Sequence, residues 1–391
     1  MLFPPIDPNE RFRQRRAASR RRKRLRRGAL IGTSLAGVAV LGVGAQLVGG
    51  ARPVHGPSKP AFLQATSSSR RAALPVEVRG VHVTMGLASL PGHLERFLAL
   101  RRDGLTALEL DVKDEHGQVA FADSTPLAAR IGAARSFYSS RAVARLAHAA
   151  GVYLVGRVVV FEDPSLALAR PDLAIRRGDG SIWRDAAGLA WTNPYDRRVW
   201  KYDVDIAAGA ARAGFDEILF DYVRFPSDGD VGAAVYPRRG ALAKRQAVPS
   251  FLHYAARRLR RLGVRVSAAV FGLSASRDLG IGQVPRLIAP YVDAVYPMTY
   301  PSLFGSGELG LPDPSAAPGA TVSLAVRMFR RAVRGTHALL VPWVQDFSFS
   351  RKYGLGEVEA QIEAARVAGA KGYLLWNPEG VYTEGALAPA G

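Results

Sequence analysis

From residue 76 onward, short runs rich in β-branched and aromatic residues alternate eight times with segments of helical period. The runs cover 78–85, 107–114, 152–161, 217–225, 264–271, 294–300, 339–347 and 372–376. Between them lie amphipathic segments at 94–102, 141–150, 197–213, 249–262, 324–333 and 357–368. Several are followed by a glycine suited to a left-handed helix cap, as at Gly104, Gly151, Gly214, Gly263 and Gly369. Such alternation implies parallel strands with helices outside, and eight units predict a (β/α)8 TIM-type barrel. An open doubly wound sheet is the competing α/β architecture. It calls for a Gly-rich phosphate turn after the first strand, and none follows Met85.

Loop lengths orient the barrel. Links from a helix to the next strand are a few residues long, whereas those after strands are long, roughly 114–139, 163–196, 226–248 and 301–323. Long loops in compact domains are usually functional. Here they fall on the C-terminal face of the strands, where barrels of this kind place their chemistry.

The N-terminal quarter has a different plan. Residues 1–27 hold eleven Lys and Arg against Asp7 and Glu10, a basic tail predicted to stay cytoplasmic. Residues 28–50 are uncharged, and a 23-residue helix is long enough to span a bilayer. The expectation is a single-pass plasma-membrane anchor, with the N-terminus inside and the rest extracytoplasmic. The alternative is secretion after signal cleavage near Gly49-Gly50-Ala51, although signal apolar regions usually span only ~7–15 residues. Residues 51–75 carry four prolines and a serine triplet and read as a spacer, which leaves 76–391 as the barrel domain.

The chain has a formal charge of +20, to which the tail contributes +9. A tail placed directly before a membrane span is a topology determinant and not a nucleic-acid arm. The remaining +11 fits an anionic envelope polymer as partner. With no cysteine, thiol catalysis and Cys-based metal sites are excluded. No HxH, HExxH, GxSxG or Walker spacing occurs, so no metal or other cofactor is expected.

Charged residues collect at the predicted strand ends. Period two puts Glu109, Asp111 and Lys113 on one face of the second run. Either they form a structural ion pair, or Asp111 and Lys113 sit at the rim of a cleft with Asp114 beyond. In Glu217-Ile218-Leu219-Phe220-Asp221, the last residue faces inward near the top, and a buried Asp is rarely tolerated without a task or partner. Arg224 follows, placed to hold either Asp221 or a substrate oxygen. Further candidates are Glu162, Asp163, Tyr300, Gln345, Asp346, Asn377 and Glu379, with His82 either lining the cleft or hydrogen-bonded in the core.

Hydrolysis of a glycosidic bond needs two carboxyl groups from different strands, one to protonate the leaving oxygen and one to attack or activate water. Asp221 with Asp346 is the first such pair; Asp221 with Asp111 or Glu162 follows. Trp343 and Trp376 in the last two runs, and Trp183 and Trp191 in the third loop, offer flat faces to sugar rings, though a buried Trp is as often plain packing. Trp200 lies in a helical pattern and is expected in the core.

A family resemblance rests on Arg79-Gly80-Val81-His82, Leu110-Asp111-Val112-Lys113-Asp114 and Phe220-Asp221-Tyr222-Val223-Arg224-Phe225-Pro226. It continues through Val270-Phe271-Gly272, Gly280-Ile281-Gly282-Gln283, Tyr296-Pro297-Met298-Thr299-Tyr300-Pro301-Ser302, Pro342-Trp343-Val344-Gln345-Asp346-Phe347 and Leu375-Trp376-Asn377-Pro378. In these stretches the chain resembles the bacterial putative glycosyl hydrolase domain family, a domain of unknown function similar to (β/α)8 glycoside hydrolases. The resemblance implies a hydrolase; with the predicted span and the charged strand ends, the chain reads as a membrane-anchored hydrolase of an envelope polysaccharide, with Asp221 as the principal catalytic carboxyl and Asp346 or Asp111 as its partner. Arg224, Lys113, Asp114, His82, Glu162, Tyr300, Gln345, Trp343, Trp376 and Asn377 would then contact substrate. One departure bears on this: the family pattern carries an aspartate where this chain has Ala269. Either the second carboxyl comes from another strand, or this barrel binds glycan without cleaving it. A third alternative is a structural protein tethering membrane to wall through its basic surface.

Overall fold

A computed structural model describes residues 73–349 and 351–389. The basic tail, the apolar span at 28–50 and nearly all of the spacer lie outside the described residues. Among the described residues no helix is long and apolar enough to cross a membrane.

Nine strands form one parallel sheet: β1 (Val78–Val83), β2 (Ala107–Lys113), β3 (Tyr153–Val159), β4 (Glu217–Asp221), β5 (Arg265–Phe271), β6 (Ala294–Met298), β7 (Leu339–Leu340), β8 (Trp343–Gln345) and β9 (Gly372–Trp376). Each of β1 to β5 pairs with the next, β5 pairs with β6, and β9 pairs with both β8 and β1, so the sheet closes into a barrel. β7 and β8 both pair with β6 and are two halves of one barrel strand. The predicted run at 339–347 is thus interrupted at Pro342, which has no N–H to give to a ladder. The Pro342 carbonyl still accepts from Leu374 N at 3.0 Å, which keeps the ring closed. The eight predicted runs therefore occupy eight barrel positions.

Helices wrap the ring, chiefly α1 (Ser140–Ala149), α2 (Arg197–Ala213), α3 (Lys244–Leu259), α4 (Pro318–Ala332) and α5 (Leu355–Val367). The Asp196 side chain caps α2 by accepting from Arg198 N, and Gly214, at φ 108°, ends it. α3 starts before the predicted boundary at 249. Gln246 accepts from Ala243 N at its start, so Pro249 falls inside the helix rather than opening it. Alternation along the strands sends Leu108, Leu110, Ile218, Phe220, Val266 and Val270 outward, and each is fully buried. Trp200 joins that core, with its indole N–H donating to Pro194 O at 2.8 Å and its ring edge-on to Phe251.

The interior of the ring is polar instead. Near its N-terminal end, Glu217 accepts from Tyr153 Oη at 3.0 Å, Tyr296 Oη at 2.8 Å and Ser267 Oγ. Burial raises the Glu217 pKa despite these donors.

Lys113 does not share the inward face with Asp111. In the ladder Asp111 pairs with Arg157 and Lys113 with the adjacent Val158, so Val112 is an extra residue and the strand bulges. The bulge turns Lys113 away from the cleft that period two assigns to it. Its Nζ lies 2.6 Å from Asp203 on α2, 2.7 Å from Asp163 and 3.2 Å from Val160 O, with no exposed surface. Burial and the neighbouring Asp163 push Asp203 up to about 7 against the pull of Lys113. Asp163 also caps the following helical turn by accepting from Leu166 N at 2.8 Å. This triad ties the ends of β2 and β3 to α2. Removing one member of a buried ion cluster strands the others. Lys113→Met is therefore expected to lower unfolding free energy by about 3–5 kcal/mol in urea denaturation; a loss below about 1 kcal/mol would contradict this role.

Candidate active site

At the C-terminal end of the ring, Arg157 on β3 reaches both flanking strands. Its Nη1 donates to Asp111 Oδ1 on β2 at 2.7 Å. Its Nε and Nη2 lie 2.9 and 2.7 Å from Asp221 Oδ2 at the end of β4. Asp111 and Arg157 are direct ladder partners, so the contact follows from register alone. Asp221 is turned to meet the guanidinium by the residue after it. Tyr222 adopts a left-handed φ of 49° and donates its N–H to Asp221 Oδ1 at 2.7 Å. A buried aromatic in that region costs about 1–3 kcal/mol and is held only by its surroundings. Here these are Trp191 and Arg224.

A second layer backs this clasp. His82 on β1 is the ladder partner of Glu109 on β2, with Nδ1 2.8 Å from Glu109 Oε1. Its Nε2 is 3.8 Å from Asp111 Oδ1. The imidazole stacks on Trp376 of β9 (4.1 Å between centroids, 26° between planes), and Trp376 stacks on Trp343 of β8 (4.7 Å, 20°). The Arg157 guanidinium lies 5.4 Å from the Trp376 ring centre. Strands β8, β9, β1, β2, β3 and β4 thus feed one continuous cluster.

Carboxyl groups outnumber cations there, and burial raises their proton affinity. Burial pushes Glu109 well above the usual carboxyl range, with Asp111 and Asp221 adding to the rise and Arg157 opposing it. The Trp343 indole N–H approaches Glu109 and lowers its pKa slightly, but short of good hydrogen-bond geometry, and Glu109 Oε2 is left without a partner. A protonated Glu109 fits that surrounding. Burial lifts Asp111 to about 7 against Arg157. Asp114, also raised to about 7 by burial and by Glu115, accepts from His116 N and Gln118 N. Burial pulls the Arg157 pKa down, and Asp221 and Asp111 more than reverse it, so it stays a cation.

The other predicted residues take separate places. Arg224 is fully buried among the rings of Trp191, Tyr222 and Phe271 at 4.7–5.0 Å, donating to Phe225 O and Ser227 Oγ. Asp346 accepts from Thr383 N at 2.8 Å and Thr383 Oγ1 at 2.5 Å and so pins the C-terminal segment. Burial nevertheless raises its pKa. Asn377 donates to Asp346 O, and Gln345 accepts from Ser302 N while donating to Phe347 O. Tyr300 is buried edge-on to Phe347, close enough to Glu109 and Asp221 for their charge to raise its pKa further. Glu162 is fully buried. Trp183 and Trp191 are also fully buried, their N–H groups donating to Asp230 O and Asp185 Oδ2, so neither offers a face to a ligand. Ala269 is buried on β5, where its carbonyl accepts from Gln283 Nε2.

Arg157 was not among the residues singled out by pattern, nor was Glu109 given a site role. The available signal was a lone arginine in the otherwise apolar strand Tyr153–Val159, at a position of inward parity. Among the described residues, no group of three or more His, Asp or Glu is arranged to hold a metal ion.

Comparison with known proteins agrees with this architecture. The glycoside hydrolase domain of PgaB (BpsB) from Bordetella bronchiseptica is similar at 14% identity and a TM-score of 0.57, over 78% of this chain and 94% of that one. The catalytic domain of β-amylase from Paenibacillus polymyxa is similar at 12% identity and a TM-score of 0.51, over 82% and 96%. At such identities the likeness is one of fold. A hypothetical protein from Ruminiclostridium thermocellum shares 33% identity over 48% of this chain and 96% of its own, with a TM-score of 0.45. No curated protein matches. The family model described as a putative glycosyl hydrolase domain matches residues 80–382, and the chain belongs to that family.

Proposed function

We propose that this barrel is a glycoside hydrolase acting on a cell-envelope polysaccharide, with Asp111 and Asp221 as its reacting carboxyls. The observation that carries the reading is the single guanidinium of Arg157 clasping both groups at the C-terminal end of the barrel. Family membership and the glycoside hydrolase neighbours support the reaction class. In this reading Asp111, raised to about 7, holds the proton given to the leaving oxygen. Asp221, oriented by Arg157 and Tyr222 N, attacks the anomeric carbon or activates water. Trp376, the more exposed of the stacked pair, has its faces taken by His82 and Trp343 and offers a sugar ring its edge. Asp346, held by Thr383, supports the C-terminal wall of the cleft. No cofactor takes part.

Residues 28–50 anchor the protein in the plasma membrane, with the barrel outside. The uncharged length and the basic block before it support that topology. A glycan-binding barrel without turnover is the second reading, favoured by the buried methyl of Ala269.

Reducing-end release from cell-wall glycans and a polysaccharide panel tests the first reading. Asp221→Asn and Asp111→Asn are each expected to lower release by roughly 10²–10⁴-fold. Silence of the native protein on every glycan, with binding retained, would transfer the weight to the second reading. The activity should also fall as pH rises through about 7, because Asp111 then loses the proton it must donate; a rate flat or rising through that region contradicts the assignment. For the anchor, the full chain is expected in the membrane fraction and resistant to salt extraction, and deletion of 28–50 should release it. A mature N-terminus near residue 51 would instead establish cleavage.

A further inference from the structure

Charge on this barrel is sorted by pole. The links from a helix to the following strand at 100–106, 147–152, 211–216, 257–265, 286–293, 330–338 and 366–371 hold fourteen Lys and Arg. They hold three acids: Asp103 and the buried Asp216 and Asp293. The links that leave the strands at 84–92, 114–139, 160–196, 222–243, 272–284, 299–317, 346–354 and 377–389 hold twelve Lys and Arg against seventeen Asp and Glu. In a parallel barrel the first set gathers at one end and the second at the other, beside Asp111 and Asp221.

A basic residue in the last turn of a helix complements its dipole, which accounts for one or two per helix. Five arginines between 257 and 265 exceed that requirement. Some of the fourteen are spent locally: Arg258 pairs with Asp205, Arg260 with Asp293 and Arg366 with Glu77. Arg257 and Arg261 at the end of α3, and Arg331 and Arg334 at the end of α4, are exposed. Among the described residues no ion pair engages these four.

The chain also reaches the barrel from this pole. Residues 73–77 lead directly into β1 at its N-terminal end, and Ala73, Pro75 and Val76 line a cleft of about 560 Å³ with Arg101, His148 and Asp216. The spacer before residue 73 contains Arg52, Lys59, Arg70 and Arg71 and no acid. Twenty-two residues can reach at most about 75 Å, so a barrel anchored at 28–50 stays within reach of the bilayer. Tethering raises local concentration enough for weak contacts to count.

We propose that this arginine-rich pole docks on the anionic lipid surface of the membrane that holds the anchor, so that the pole bearing Asp111 and Asp221 faces away from it. The proposal rests on the anchor reading of 28–50 and commits to a lipid surface because the cationic pole is the one from which the chain departs. Basic side chains near an anionic bilayer add attraction that falls off within a Debye length.

Residues 73–391 contain every strand of the closed barrel, so this fragment tests the face without the anchor. It would be sedimented with phosphatidylcholine vesicles and with vesicles containing about 30% phosphatidylglycerol. The expected result is binding to the anionic vesicles alone, weakened as salt rises from about 0.05 to 0.3 M. The combined variant Arg257→Glu, Arg261→Glu, Arg331→Glu, Arg334→Glu should lose binding by at least about tenfold. The same charge change at the opposite pole, Arg130→Glu, Arg135→Glu, Arg184→Glu, Arg351→Glu, should leave it within about threefold. Equal losses in the two variants, or a native fragment indifferent to phosphatidylglycerol, overturns the proposal. Thermal melts of both variants control for folding. Glycan cleavage and membrane fractionation of the full chain report on the catalytic and anchor readings independently.

Discussion

The guanidinium of Arg157 is the contact on which the polar interior of this barrel depends. An arginine brought into a closed sheet is tolerable only if its donors are matched, and the two flanking strands each supply a carboxyl group at 2.7 Å. The planar fork fixes both carboxyls in direction as well as distance, which an ammonium would not do. Because Glu109 and Asp111 are buried beside one cation, charge balance keeps protons on carboxyl groups at near-neutral pH. An acid held protonated next to an oriented carboxylate is the arrangement that bond cleavage between sugars requires.

The same economy explains the surface. Of the acids among the described residues, thirteen are buried, against three buried cations: Lys113, Arg157 and Arg224. That leaves eighteen acids and thirty-five Lys and Arg on partly or fully exposed positions. The interior concentrates negative groups in the Arg157, Lys113 and Glu217 clusters, and the exterior is correspondingly cationic. Net charge alone conceals this separation, which only the fold makes visible.

Strand–helix alternation and loop asymmetry carried the barrel and the end that bears its long loops, because burial of one strand face against helices demands that periodicity. Asp221 was readable for a similar reason, as a carboxylate closing an apolar strand. Lys113 was not, since the extra residue at Val112 that reverses its direction leaves no mark on period two. Arg157 sat in a strand so apolar that its single charge carried little weight, although the inward parity of that charge was the clue. Asp346, Gln345 and Asn377 have the right residue types at strand ends, but their backbone partners come from segments such as Thr383 and Ser302 that no pattern links to them. The start of α3 was obscured because Pro249 normally opens a helix and here lies within one.

One arginine holds two carboxyl groups while one of them keeps its proton near neutrality. Difference infrared spectroscopy of the carboxyl C=O stretch, from about pH 5 to about 9, tests it without a substrate. The expected result is a protonated-carboxyl band that falls through about pH 7, where Asp111, Asp114 and Asp203 lose their protons, and that is reduced in Asp111→Asn. A second component should persist to higher pH and be missing in Glu109→Gln. Absence of any protonated carboxyl at about pH 6, or a band that neither substitution alters, would contradict it.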